Sequence, residues 1–131
     1  MMTQTRRLKA TFALFTMTLL LATLVAVPGA DAETRRIRFG RGRTTAVLKG
    51  AIVRGEDDRY KLRARKGQTM SVHITSVENN AVFEIFAPNS GRSMAGVGND
   101  WSGKLPRSGD YTIVVSGERG NAEYTLEVTV R

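Results

Sequence analysis

From Arg59 to Arg65 the chain reads Arg-Tyr-Lys-Leu-Arg-Ala-Arg, a cation at every odd position with Tyr60, Leu62 and Ala64 between them. A period of two sorts these side chains onto the two faces of a strand, whereas a helix would scatter them around its axis. The same alternation recurs at Thr69–Thr75, with Met70, Val72 and Ile74 inward, and at Tyr111–Val115 and Tyr124–Val130, while Val82–Phe86 reads as a further strand. No stretch beyond residue 32 carries a convincing 3.6-residue period. Short alternating runs with turn signals every eight to twelve residues predict an all-β domain, a small antiparallel β-sandwich, jelly-roll-like, of about seven or eight strands.

The turns are expected as follows. Arg36–Phe39 is an edge-strand candidate with Ile37 and Phe39 toward the core, and Thr44–Val53 is a strand bent or bulged near Gly50. Arg54–Asp58 reads as a solvated turn. Lys66-Gly67-Gln68 reads as a hairpin turn into Thr69–Thr75, which places His73 on the outward face. Asn79-Asn80 precedes the strand at Val82–Phe86, and Gly91–Asp100 reads as a surface loop with a short strand candidate at Met94–Val97. Trp101–Asp110 reads as a turn that feeds the strand from Tyr111, with Pro106 and Ser108-Gly109-Asp110 supplying the reversal. Gly117–Asn121 is expected to join Tyr111–Ser116 and Tyr124–Val130 as a hairpin.

Upstream of all this, Arg6, Arg7 and Lys9 precede a stretch from Ala10 to Ala30 without a charged residue, and Ala30-Asp31-Ala32 has the small-x-small pattern of a cleavage site. Residues 1–32 therefore read as a signal peptide cut after Ala32, which leaves no stable membrane span and implies an exported protein, periplasmic or secreted. Residues 33–43 form a basic N-terminal arm and residues 44–131 the sandwich domain. The whole chain has 20 Lys and Arg against 12 Asp and Glu, a formal +8. Without residues 1–32 the counts are 17 and 11, a formal +6. There is no cysteine, so no disulfide supports the fold, and about a hundred residues must be held by their core alone.

Catalysis finds little support. The single histidine, His73, has no cysteine to help it hold zinc, and the acids at Glu56, Asp57 and Asp58 are too few and too closely spaced for a calcium loop. Ser108 has no base placed near it, no phosphate-binding glycine loop is present, and no cofactor or metal is expected. Nucleic acid is not an expected partner either, because Tyr60, Phe83, Phe86, Tyr111 and Tyr124 sit where the core needs them. The basic character does favour anions, and the cation ladder Arg59, Lys61, Arg63 and Arg65 is a candidate site for an anionic cell-surface polymer or glycan.

Three segments carry a resemblance: Tyr60–Val72, Asn99–Ile113 with its Leu-Pro-Arg-Ser-Gly-Asp-Tyr turn, and Tyr124–Val128. Together they make the chain from about Arg36 to Val130 resemble the periplasmic inhibitors of g-type lysozyme and, more broadly, the pre-peptidase C-terminal β-sandwich domains. In lysozyme inhibitors a Ser-Gly-x-x-Tyr type loop enters the enzyme's cleft. Here Ser108, Gly109, Asp110 and Tyr111 form a variant with one intervening residue. The resemblance implies a non-enzymatic inhibitor whose partner is a g-type lysozyme. Ser108 would hydrogen-bond a catalytic carboxylate, Gly109 would permit close backbone approach and Tyr111 would brace the loop. Two features run against this. The charge of Asp110 disfavours a carboxylate-lined cleft unless it points away, and a net +6 slows the approach to a basic enzyme.

Overall fold

A computed structural model describes residues 33–131; residues 1–32, read from the sequence as a signal peptide, lie outside the described residues. Nine strands form two facing sheets: β1 (Thr34–Arg36), β2 (Thr45–Ile52), β3 (Asp57–Ala64), β4 (Thr69–Ser76), β5 (Ala81–Phe86), β6 (Ser93–Gly98), β7 (Asp100–Lys104), β8 (Gly109–Gly117) and β9 (Ala122–Val130). One sheet has the order β1-β3-β8-β5-β6 and the other β2-β9-β4-β7. All neighbours are antiparallel except β1 and β3, which run parallel.

Alternation decides what fills the space between the sheets. Tyr60, Leu62 and Ala64 of β3 and Tyr111, Ile113 and Val115 of β8 face Met70, Val72 and Ile74 of β4 and Leu126 and Val128 of β9, all buried. Ile37 and Leu105 close the core from the crossings, and Phe39 packs against it partly buried. Each such large aliphatic side chain contributes about 1.5–3 kcal/mol on burial, which is how a domain without disulfides holds together.

Connectivity departs from what neighbouring segments suggest. Seven of the eight connections cross from one sheet to the other, and only β5–β6 is a hairpin. Lys66-Gly67-Gln68 is thus an arch between the sheets, since β3 pairs with β8 while β4 pairs with β9 and β7. Gly117–Asn121 is likewise an arch, because β8 and β9 lie in different sheets. The apolar inner faces of consecutive strands therefore meet across the core and not side by side.

Four local expectations also change. The edge strand is Thr34–Arg36 and not Arg36–Phe39, its pairing with β3 ending at the bond from Ile37 N to the Lys61 carbonyl. Trp101–Lys104 is not part of a turn but the edge strand β7, paired with β4, and this brings the strand count to nine. Asp57 and Asp58 belong to β3 and not to a turn, and Asp58 accepts a 2.5 Å hydrogen bond from the Tyr124 hydroxyl, itself 2.5 Å from the Tyr60 hydroxyl. Gly50 marks no bulge, for β2 keeps its register with β9 throughout. Instead it lies opposite Tyr124, whose hydroxyl occupies the space of a side chain: a Cβ at Gly50 would stand 2.3 Å from it.

Candidate functional site

The strand directions gather the crossings 37–44, 65–68, 87–92 and 105–108 at one end of the sandwich, since Ala64 pairs with Gly109, Thr69 with Lys104, Thr45 with Thr129 and Phe86 with both Thr112 and Ser93. Two of these crossings are laced together by backbone bonds, from Gly67 N to the Leu105 carbonyl (2.9 Å) and from Leu105 N to the Gln68 carbonyl (2.8 Å). Leu105, buried between the sheets, anchors the pair.

On this base stands the segment 107–111. Tyr111 is fully buried, and its hydroxyl donates to the Arg107 carbonyl (2.5 Å) and accepts from Arg107 N (3.1 Å). A core side chain thereby closes the loop that precedes it. Ser108, at the exposed apex, accepts a hydrogen bond from Lys66 N at its Oγ (2.8 Å). That contact uses a lone pair and leaves the hydroxyl proton free to be donated outward.

Gly109 has φ 142°, a conformation that disfavours side chains, and an added Cβ would stand 3.0 Å from the Pro88 ring. Proline and glycine together let the 87–92 crossing lie against the loop, where the Arg107 guanidinium donates to the Pro88 carbonyl at 3.3 Å.

Asp110 is held from an unforeseen direction. Arg36 of β1 donates to both its carboxylate oxygens, Nη1 to Oδ1 at 3.1 Å and Nη2 to Oδ2 at 2.8 Å. This bond, followed by the nearby positive charges of Arg36, Arg63 and Lys61, holds the Asp110 carboxyl below its ordinary pKa, and Arg36 is raised in turn. Asp110 is therefore a paired carboxylate.

A groove of about 570 Å³ runs beside the loop, lined by Ser108, Gly109, Asp110, Lys61, Arg63 and the Phe86–Ser90 segment. It brings the loop residues and two members of the cation ladder to one place. Lys61 and Arg63 have no carboxylate within ion-pair distance among the described residues. Arg65 lies around the corner in a second groove with Phe39 and Arg43, and Arg59, opposite Val114, lines neither groove. Phe86, assigned to the core from the sequence, is instead half-buried on the outer face as part of the groove wall, because it shares its register row with Thr112. His73 is exposed on the other sheet, its Nδ1 3.5 Å from Asp100. Among the described residues no cluster of three metal-ligating side chains occurs.

Arg36, Lys66 and Pro88 are the parts of the site that motif reasoning missed. No local signal links them, since 74 positions separate Arg36 from Asp110 and 42 separate Lys66 from Ser108.

No family model and no curated protein matches the chain. Solved structures do. A periplasmic inhibitor of g-type lysozyme, PliG of Aeromonas hydrophila, is 32% identical with a TM-score of 0.68, over 75% of this chain and 96% of its own. The PliG of Salmonella Typhimurium is 22% identical (TM-score 0.64; 76% and 98% covered), and the pre-peptidase C-terminal domain of Bacillus anthracis collagenase is 17% identical (TM-score 0.55; 76% and 95% covered). The last two share the fold. The first extends the likeness to sequence over nearly its whole length: this exported, non-enzymatic chain belongs to the PliG family of periplasmic lysozyme inhibitors.

Proposed function

We propose that the protein inhibits g-type lysozyme by inserting the Ser108–Tyr111 loop into the enzyme's cleft. The observation that carries this is the Ser108 hydroxyl, fixed at the apex with its lone pair engaged by Lys66 N and its proton free. A glycoside hydrolase cleft presents carboxylates, and a hydroxyl donating to a carboxylate contributes about 1.5–3 kcal/mol. The brace from Tyr111 to Arg107 keeps that donor in place before the enzyme arrives, so little ordering cost falls on binding. Pairing with Arg36 answers the objection raised by Asp110, whose charge is compensated within the inhibitor.

A turbidity assay of cell-wall lysis by g-type, c-type and i-type lysozymes, with and without residues 33–131, tests this. Selective inhibition of the g-type enzyme is expected, and loss of it in a folded Ser108→Ala variant. Lysis unchanged for all three classes would leave the second reading, a polyanion-binding module. Lys61 and Arg63, without carboxylate partners in one groove, favour that reading, and the pair Lys61→Glu and Arg63→Glu should then abolish binding to an anionic cell-wall polymer.

A further inference from the structure

Charge is unevenly distributed along the strand axis. The crossings 37–44, 65–68, 87–92 and 105–108, together with Arg131 beside Thr69, carry eight Arg and Lys side chains and no Asp or Glu. At the opposite end the crossings 53–56, 77–80, 99 and 118–121 carry Glu56, Glu78 and Glu118 against Arg54 and Arg119, flanked by Asp57, Asp58 and Glu123 at the strand ends. The single acid in the last two residues of any strand at the basic end is Asp110, and Arg36 neutralises it. The domain is thus an electric dipole, and Ser108 sits in its positive pole.

Distance makes this matter. Eight-residue strands separate the poles by about 26 Å at roughly 3.3 Å per residue, against a screening length of about 8 Å at physiological salt. A partner approaching Ser108 therefore feels the positive end and not the net charge of the molecule. That end would repel a basic docking surface, and it would attract and orient an acidic one.

We infer that the enzyme surface surrounding the cleft that receives Ser108 is acidic, and that the basic crossings steer the inhibitor into it end-on. This rests on the lysozyme reading and adds the electrostatic character of the partner. Arg65 and Lys66 are suitable probes because both side chains are exposed and only their backbone groups are used in bonding the turn.

The test is the association rate with an inhibited g-type lysozyme, measured by stopped-flow fluorescence at 25 mM and 300 mM salt as experimental settings of about one decade in ionic strength. The wild-type rate should fall about tenfold or more with added salt. At low salt the pair Arg65→Glu and Lys66→Glu should lower it by about tenfold, while Arg54→Glu and Arg119→Glu at the far end should change it less than about twofold. An association rate that is flat or rising with salt, or equal losses from the two pairs, overturns the inference while leaving inhibition intact. Salt-sensitive capture of polyphosphate alongside a salt-indifferent rate for the enzyme overturns it as well. Failure to bind any g-type lysozyme at either salt removes the lysozyme reading itself.

Discussion

Replacing Tyr111 by Phe removes one oxygen and leaves the buried ring in place. In the native loop that oxygen makes two hydrogen bonds, to the carbonyl and the amide of Arg107. Each contributes about 0.5–1.5 kcal/mol net, so about 1–3 kcal/mol is at stake. A domain of this size loses about 4–8 °C in Tm per kcal/mol, which predicts a fall between about 4 and 24 °C on a circular-dichroism melt. The functional cost follows from the same bonds. If the freed loop opens, the apparent inhibition constant rises by the inverse of the closed fraction, at most about 5- to 150-fold for the energies above. Inhibition titrations on the variant, run well below its Tm, read this directly. A Tyr111→Phe protein with the wild-type Tm and the wild-type inhibition constant would falsify the proposed bracing role.

Other perturbations separate the loop from its scaffold. Ser108→Ala should weaken inhibition at least tenfold while costing no more than about 1 kcal/mol of stability, since Lys66 N is exposed and water can replace the hydroxyl; a chemical-denaturation curve and an inhibition titration on one preparation check both halves. Gly50→Ala should destabilise by about 1–3 kcal/mol through overpacking, and by more if Tyr124 gives up its bonds to Asp58 and Tyr60, without altering inhibition per folded molecule; a Tm within a degree or so of wild type would refute the contact. Asp110 has a depressed pKa in the folded state, so its ion pair contributes stability above the unfolded carboxylate value of about 3.9 and loses it as pH falls through the lower folded value. Hydrogen exchange should accordingly show β1 protected from neutral pH down to mild acid and released only in strong acid, a step that Asp110→Asn removes. Tyr124 has its pKa raised, first by burial and then by its bonds to Asp58 and Tyr60. Its contribution is present below the unfolded tyrosine pKa of about 10 and lost as pH rises above that value. Alkaline denaturation curves should therefore flatten in Tyr124→Phe.

The strands were legible wherever alternation was strong. Tyr60, Leu62 and Ala64, or Tyr111, Ile113 and Val115, announce a buried face without any knowledge of their partners. Pairing was not legible, because an arch and a hairpin use the same residues: Lys66-Gly67-Gln68 suits either, and only the mutual burial of β3 and β4 decides for the arch. β7 escaped notice because Trp101 is its one large apolar residue, with its ring lying over Gly103 two positions on. At the loop, Ser108 and Tyr111 stood out as a motif. The groups that hold them did not, since the Lys66 amide carries no sequence signal at all and Arg36 is one arginine among many in a basic arm. The dipole is hidden for a related reason, being a property of which crossings share an end.

The most direct test of the central proposal is competition in the cleft. The affinity of residues 33–131 for a g-type lysozyme would be measured by titration calorimetry with and without a saturating N-acetylglucosamine oligomer. If the Ser108–Tyr111 loop plugs the cleft, the apparent dissociation constant rises as the inverse of the fraction of clefts left empty by the oligomer. An affinity unchanged by a filled cleft would contradict the account.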